Sequence, residues 1–298
     1  MLAFLPSNAT NGQMTTKNAP SISFEFFPPK TRESEKQLWD TAAELSKLGP
    51  KYMTVTYGAG GSTRDKTLEI TARMAAENDM PIASHLTFLS TTKSELETYI
   101  DELWDNNVRN IVALRGDLPK GKSYDDFTGD EYFDYTSNFV SWLKSRHPFD
   151  ISVGAYPEKH PDAPSLDADI EALRLKCEAG ADRAITQFFF GTDCYFDFVE
   201  KCHAAQITTP IYPGLVPIYD FTGLLRFAKN CQAHVPDWLH EKFAGLEDKP
   251  DDAYKLAEEL LCTQVEELIG NGVEHIHFYT LNKAPLTKST CIAAGLAV

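Results

Sequence analysis

Glu25 lies in the stretch "SISFEFFPPK" (residues 21–30), where Ile22, Phe24, Phe26 and Phe27 surround it in sequence. A carboxylate in an apolar strand costs several kcal/mol, roughly, as a bare ion unless it is paired or keeps its proton. Two readings follow: an ion pair, with Arg115 as the natural partner, or a general acid whose pKa is raised by its apolar neighbours. The segment "ALRGDLP" (113–119) adds a cation, a backbone without a side chain, and an acceptor in Arg115, Gly116 and Asp117. As an adhesion tripeptide it would need an exposed extracellular loop, and as pure structure it would be a salt bridge about a tight turn. Its place after a strand favours a site, with Gly116 letting a ligand approach the backbone. His85 and His160, with Arg115 and Lys176, make a contact set for an anion or cofactor. Gln187, in "QFFF", has an amide suited to a heteroaromatic ring. His275-x-His277 puts two imidazoles on one strand face, which can bind a divalent metal. These histidines open their strand, far from the strand ends, so packed histidines are the expectation there and no metal site is assigned.

These residues need a scaffold that gathers strand ends. Eight β-branched or aromatic runs recur along the chain: 22–27, 52–58, 82–88, 110–117, 151–157, 183–190, 211–217 and 275–282. Amphipathic segments such as "SEKQLWDTAAELSKL" and "DADIEALRLKCEAG" separate them. Near-continuous apolar strands alternating with helices predict a parallel sheet covered by helices, and eight units match a single-domain (β/α)₈ TIM barrel. An open doubly wound sheet is the rival, but no G-x-G-x-x-G follows the first strand and no P-loop appears. In a barrel, chemistry collects at the C-terminal ends of the strands. Those ends here carry Glu25, Thr56-Tyr57-Gly58, His85, Arg115-Gly116-Asp117, Tyr156 with Glu158 and His160, Gln187, and Tyr279 with Asn282.

The 298 residues carry 28 Lys and Arg against 43 Asp and Glu, a formal charge of −15, which argues against a nucleic-acid partner. No apolar run approaches the roughly 20 residues of a membrane span. Residues 1–20 read as a disordered polar leader without signal-peptide features, and 21–298 as the barrel. The six cysteines lack CxxC spacing, so a reduced cytoplasmic protein is expected.

The set "FEFFPPKT", "VTYGAGGSTRD", "HLTF", "NIVALRGDLP", "GAYPEKHP", "GADRAITQFFF", "PGLVPI" and "HFYTLN" closely resembles methylenetetrahydrofolate reductase of the bacterial type, over about residues 21–294. The resemblance implies a (β/α)₈ flavoprotein that holds FAD non-covalently and takes electrons from NADH or NADPH. It would reduce 5,10-methylenetetrahydrofolate to 5-methyltetrahydrofolate by a ping-pong scheme, feeding methionine synthesis. The regulatory domain of the eukaryotic enzymes, which binds adenosylmethionine, is not expected. Glu25 matches the family's general acid, and Asp117 the acidic residue that contacts the pterin and tunes the flavin. Thr56 and Gln187 fall on nicotinamide contacts, Gln187 also serving the folate. FAD contacts would include Tyr57, Ala59, His85, Arg115, Gly116, Asp117, Thr136, Tyr156, His160, Ala163, Asp169 and Lys176. Gly223 and Phe227 would meet the folate. Lys283 stands where bacterial relatives often carry an Arg that holds the folate glutamate, while Ala172 and Leu175 replace an Asn and an Arg that contact FAD. A homo-oligomer is implied as well. Two alternatives stay open: a metal-dependent hydrolase on the same barrel, and a non-catalytic flavin or folate binder.

Overall fold

The computed structural model describes residues 19–58 and 63–297. Ala59 and the leader up to residue 18 lie outside the described residues. In chain order the elements are β1 (Ser21–Phe26), α1 (Arg32–Leu45), β2 (Tyr52–Val55), α2 (Arg64–Glu77), β3 (Ile82–Thr87), α3 (Lys93–Asp105) and β4 (Asn110–Leu114). Then follow α4 (Thr136–Arg146), β5 (Asp150–Ala155), α5 (Leu166–Glu178), β6 (Arg183–Thr186), α6 (Thr192–Ala204), β7 (Ile211–Tyr212) and β8 (Gly214–Leu215). The chain continues through α7 (Phe221–Asn230), α8 (Asp237–Phe243), α9 (Pro250–Gly270), β9 (His275–Tyr279) and α10 (Pro285–Ala293).

Every pairing is parallel, in the order β7-β6-β5-β4-β3-β2-β1-β9-β8. The eight apolar runs of the sequence therefore occupy eight barrel positions. The seventh, "IYPGLVP", is cut into β7 and β8 because Pro213 has no N–H to give to a ladder. Its carbonyl still accepts from the His277 N–H at 2.9 Å, which carries the barrel wall across the break. Gly214 is required there by close approach, since a Cβ would stand 2.5 Å from the Tyr279 ring and against the Thr186 carbonyl.

Local chemistry starts the helices where the sequence places them. Thr31 and Thr92 cap α1 and α3 through capping boxes with Ser34 and Glu95, and Ser165 and Asp220 cap α5 and α7. The core lies between barrel and helices. Ile22, Phe24 and Phe26 of β1 are buried in it with Leu38, Ile276, Phe278 and Leu286. Because side chains alternate along a strand, Ser21, Ser23 and Glu25 take the other face, toward the barrel interior.

Candidate active site

Glu25 is the penultimate residue of β1, beside Thr54 of β2 and Tyr279 of β9. Its carboxylate lies 3.3 Å from His85 Nε2 and 3.5 Å from His277 Nε2, with 16% of the side chain exposed. Burial works to raise its pKa, but the fields and hydrogen bonds of His85 and His277 outweigh burial and bring it from 4.5 to about 2. The ion-pair partner expected for Glu25, and the direction expected for its pKa, need correction. Its partners are imidazoles, while Arg115 pairs with Asp162 at 2.7 Å. It is also not kept protonated by phenylalanines, since those next to it in sequence occupy the opposite face of the strand.

The histidines of β9 pack as expected, buried against Tyr52 and Tyr212. They are also hydrogen-bonded: Ser23 Oγ lies 2.7 Å from His277 Nδ1 and 2.8 Å from His275 Nε2, and Ser21 Oγ lies 2.6 Å from His275 Nδ1. His277 Nε2 has no full hydrogen-bond partner among the described residues, so its 3.5 Å approach to Glu25 is a looser contact. The signal was present in sequence as period-two alternation, Ser-x-Ser-x-Glu on one strand and His-x-His-x-Tyr on another. The predicted barrel makes the first and last strands neighbours, but the sequence does not give the register that brings Ser23 to His277. No group of three or more His, Cys, Asp or Glu among the described residues could hold a metal ion.

Around Glu25 the barrel mouth collects much of the expected set. Gly116 has φ +90°, and a Cβ on it would stand 2.8 Å from Thr87 Cβ, so the backbone lies directly on the end of β3. Asp117 is exposed beyond it. Tyr156 sits in the fields of Asp169, Arg115, Asp117 and Cys231, and burial pushes its pKa up to about 12. The Lys176 ammonium donates to the Gly154 carbonyl at 2.6 Å; burial lowers its pKa while Asp169 works the other way. Asp169, itself buried, accepts from the His160 backbone N–H at 2.7 Å. The Asp162 N–H donates to His160 Nδ1 at 3.1 Å, which leaves Nε2 of that ring as a donor. Burial, and then Arg115, lowers the pKa of His160. Ala163 closes the same loop, its N–H donating to the His160 carbonyl at 3.0 Å. Thr56 ties its N–H to Phe26 at 2.8 Å, and Tyr57 stands edge-on to Tyr99.

Gln187, Phe188, Tyr156 and Cys231 line a cavity of about 70 Å³. Phe227 of α7 stacks on Phe188 with centroids 5.3 Å apart, and Phe188 meets Tyr279 edge-on, so α7 joins the mouth through aromatic contacts. Gly223 is in the first turn of α7, its N–H held by Asp220. Lys283 is exposed, with its ammonium 4.9 Å from the Tyr219 ring centre. Thr136 opens α4, and no side-chain hydrogen bond among the described residues ties it to this group. Ala172 and Leu175 are exposed on α5. Asn282, one of the strand-end residues, fastens β1 to the segment after β9. Its side chain accepts from the Phe27 N–H at 3.1 Å and donates to the Phe27 carbonyl at 2.8 Å, and Thr280 Oγ1 donates to the Glu25 carbonyl at 2.6 Å.

The arrangement couples a buried carboxylate to two imidazoles under a mouth lined by cations, aromatic faces and amides. It can hold or move a proton beneath a planar ligand. Among the described residues no helix is long and apolar enough to cross a membrane. The family model for methylenetetrahydrofolate reductase matches residues 11–295. The 5,10-methylenetetrahydrofolate reductase of Escherichia coli K12 is 40% identical over 276 residues, covering 93% of this chain and 91% of that one. Methylenetetrahydrofolate reductase (NADH) 1 of Arabidopsis thaliana is 34% identical over 282 residues, 90% of this chain and 47% of that one. A Clostridium thermocellum protein, solved as binding two copies of 5-methyl-5,6,7,8-tetrahydrofolic acid, has the same fold, with TM-score 0.63 and 16% identity over 93% of this chain and 95% of that one.

Proposed function

Because the chain belongs to the methylenetetrahydrofolate reductase family, we propose that it reduces 5,10-methylenetetrahydrofolate to 5-methyltetrahydrofolate with a non-covalent FAD and NADH or NADPH. The setting is the cytoplasm, on the path to methionine, with a homo-oligomer as the working form. Donor and folate use the site in turn. The observation that carries the reading is the Glu25 carboxylate, held between His85 and His277 at the mouth of the barrel.

The residues present fit a flavin dinucleotide. Gly116 offers backbone without a side chain, Arg115 and Lys176 supply positive charge, and His160 offers a ring N–H. Arg115, His160 and Lys176 would hold the phosphates and ribose, with Tyr57, His85, Tyr156, Ala163 and Asp169 around them. Thr136 and Ala59 complete that set by resemblance alone. When bound, the flavin supplies the hydride.

The protein's own part is position, field and one proton. Asp117 would contact the pterin and, as an exposed anion beside the ring system, disfavour added negative charge there. Gln187 would bind folate and nicotinamide by its amide, and Thr56 would meet the nicotinamide. Phe227 and Gly223 would receive the rest of the folate, with Lys283 near its carboxylates. Glu25 would supply the proton that opens the five-membered ring: the bond from the methylene carbon to N10 breaks, N10 takes the proton, and the carbon stays on N5 to receive the hydride. At rest Glu25 is a carboxylate that must take up a proton before it can act, because the fields and hydrogen bonds of His85 and His277 outweigh burial. A substrate over the mouth removes the remaining water, which raises the carboxylate's pKa and draws the proton onto Oε2.

The test is the visible absorption spectrum of the purified chain followed by anaerobic mixing. Flavin bands that bleach with NADH or NADPH and return with methylenetetrahydrofolate support the reading. A protein without flavin that also takes none up, or one whose bleached bands do not return with folate, overturns it. Comparing the two nicotinamides in the same experiment decides the donor.

A further inference from the structure

Each proton that Glu25 gives to a substrate must be replaced. Its 16% exposure opens at the mouth, where the substrate has to sit, so a bound ligand closes the direct route to water. A second route leads the other way. From Glu25 the contacts run to His277, Ser23, His275 and Ser21, along the interior faces of β1 and β9, with neighbouring polar atoms 3.5, 2.7, 2.8 and 2.6 Å apart. His277 and Ser23 are fully buried and His275 is 2% exposed, whereas Ser21 is partly exposed at the opposite end of the barrel. The strand register enforces the chain, since Ser21 is paired with His275 and Ser23 with His277.

We propose that Glu25 is recharged from the N-terminal end of the barrel, through Ser21, His275, Ser23 and His277. This deepens the reductase reading and rests on it. One proton moves per link. Water gives a proton to Ser21, Ser21 to His275 Nδ1, His275 Nε2 to Ser23, Ser23 to His277 Nδ1, and His277 Nε2 to Glu25. The net change is one solvent proton consumed and one carboxylate neutralised, after which the hydroxyls rotate and the imidazoles change tautomer. The surroundings of His275 make the transfer concerted. Tyr212 and Tyr52 pack on its ring at 4.0 and 5.4 Å, and burial, His277, Lys51 and Arg183 all disfavour an imidazolium there. No positive charge therefore rests midway, and the ring works by passing a proton on. Asp150, which pairs with Arg183, is the anion that keeps this guanidinium in place.

The experiment compares the full, flavin-loaded chain with Ser21→Ala and His275→Phe in anaerobic single-turnover mixing. Ser21→Ala is the gentler change, at a partly exposed position. Both variants are expected to slow flavin reoxidation by methylenetetrahydrofolate by about ten-fold or more and to alter its solvent deuterium isotope effect, with bleaching by the nicotinamide unchanged. An unchanged rate and isotope effect in Ser21→Ala overturns the route. Nitrogen-15 NMR of the imidazoles, without substrate, supplies a readout apart from turnover. Ser21→Ala should move the ring resonances of His277, two links beyond its own contact, and an unmoved His277 overturns the continuous chain. If the unsubstituted protein fails to reoxidise with folate, the reductase reading falls while the NMR arm still decides the chain.

Discussion

Replacing Glu25 by Gln separates the acid from everything else the site does. The amide has the carboxylate's shape and can stay between His85 and His277, but it has no proton to give. Loss of an acid–base group costs about 10²–10⁴ in rate, or about 3 to 5 kcal/mol of barrier. That cost should fall on folate reduction alone, because hydride delivery to the flavin needs no proton from this side chain. In stopped-flow mixing the nicotinamide should bleach Glu25→Gln at nearly the unsubstituted rate, and reoxidation by methylenetetrahydrofolate should stop. The same substitution has a stability signature. The folded carboxylate lies near 2 against an ordinary 4.5, a depressed value. Its contribution is therefore present above pH 4.5 and lost as the pH falls toward 2, with an upper size on the order of 3 kcal/mol. Urea unfolding between pH 7 and pH 3 should show a shallower acid loss in Glu25→Gln than in the unsubstituted chain. Normal folate turnover by the variant would refute the acid role, and an identical acid slope would refute the imidazole-held carboxylate.

Further outcomes follow from neighbouring residues. Asp117→Asn removes the anion beside the pterin and flavin positions, so the flavin potential should rise and folate binding weaken; a potentiometric titration that shows no change counts against the field argument. Gly116→Ala places a Cβ 2.8 Å from Thr87 at φ +90°, and should cost about 1–3 kcal/mol of stability in denaturant melts and reduce flavin retention. Lys283→Arg restores a two-pronged carboxylate contact at an exposed position, and a KM for folate lowered a few-fold, with kcat unaltered, is the expected result.

Much of this protein was legible as pattern. Near-continuous apolar runs alternating with amphipathic helices carried the barrel, and strand-end chemistry picked out Glu25, His85, Arg115, Tyr156 and Gln187, because such runs and the C-terminal placement of sites are properties of short segments. The sequence reads 211–217 as one strand, so the break of the seventh run at Pro213 was not expected. What could not be read was the environment of each side chain. Glu25 was misjudged because its neighbours along the chain were taken for its neighbours in space, whereas alternation sends Phe24 and Phe26 into the outer core and leaves the carboxylate inside. The last strand, His275–Tyr279, lies beside the first only because the barrel closes, and closure in the observed register brings Ser23 to His277 and Glu25 to Tyr279. Electrostatic interaction and hydrogen bonding act over a few ångströms, whatever the separation in sequence. Residue types and strand ends were thus decided by the sequence alone, while the charge of Glu25, set by His85 of β3 together with His277 of β9, and the polar chain beneath it were decided only by the closed barrel.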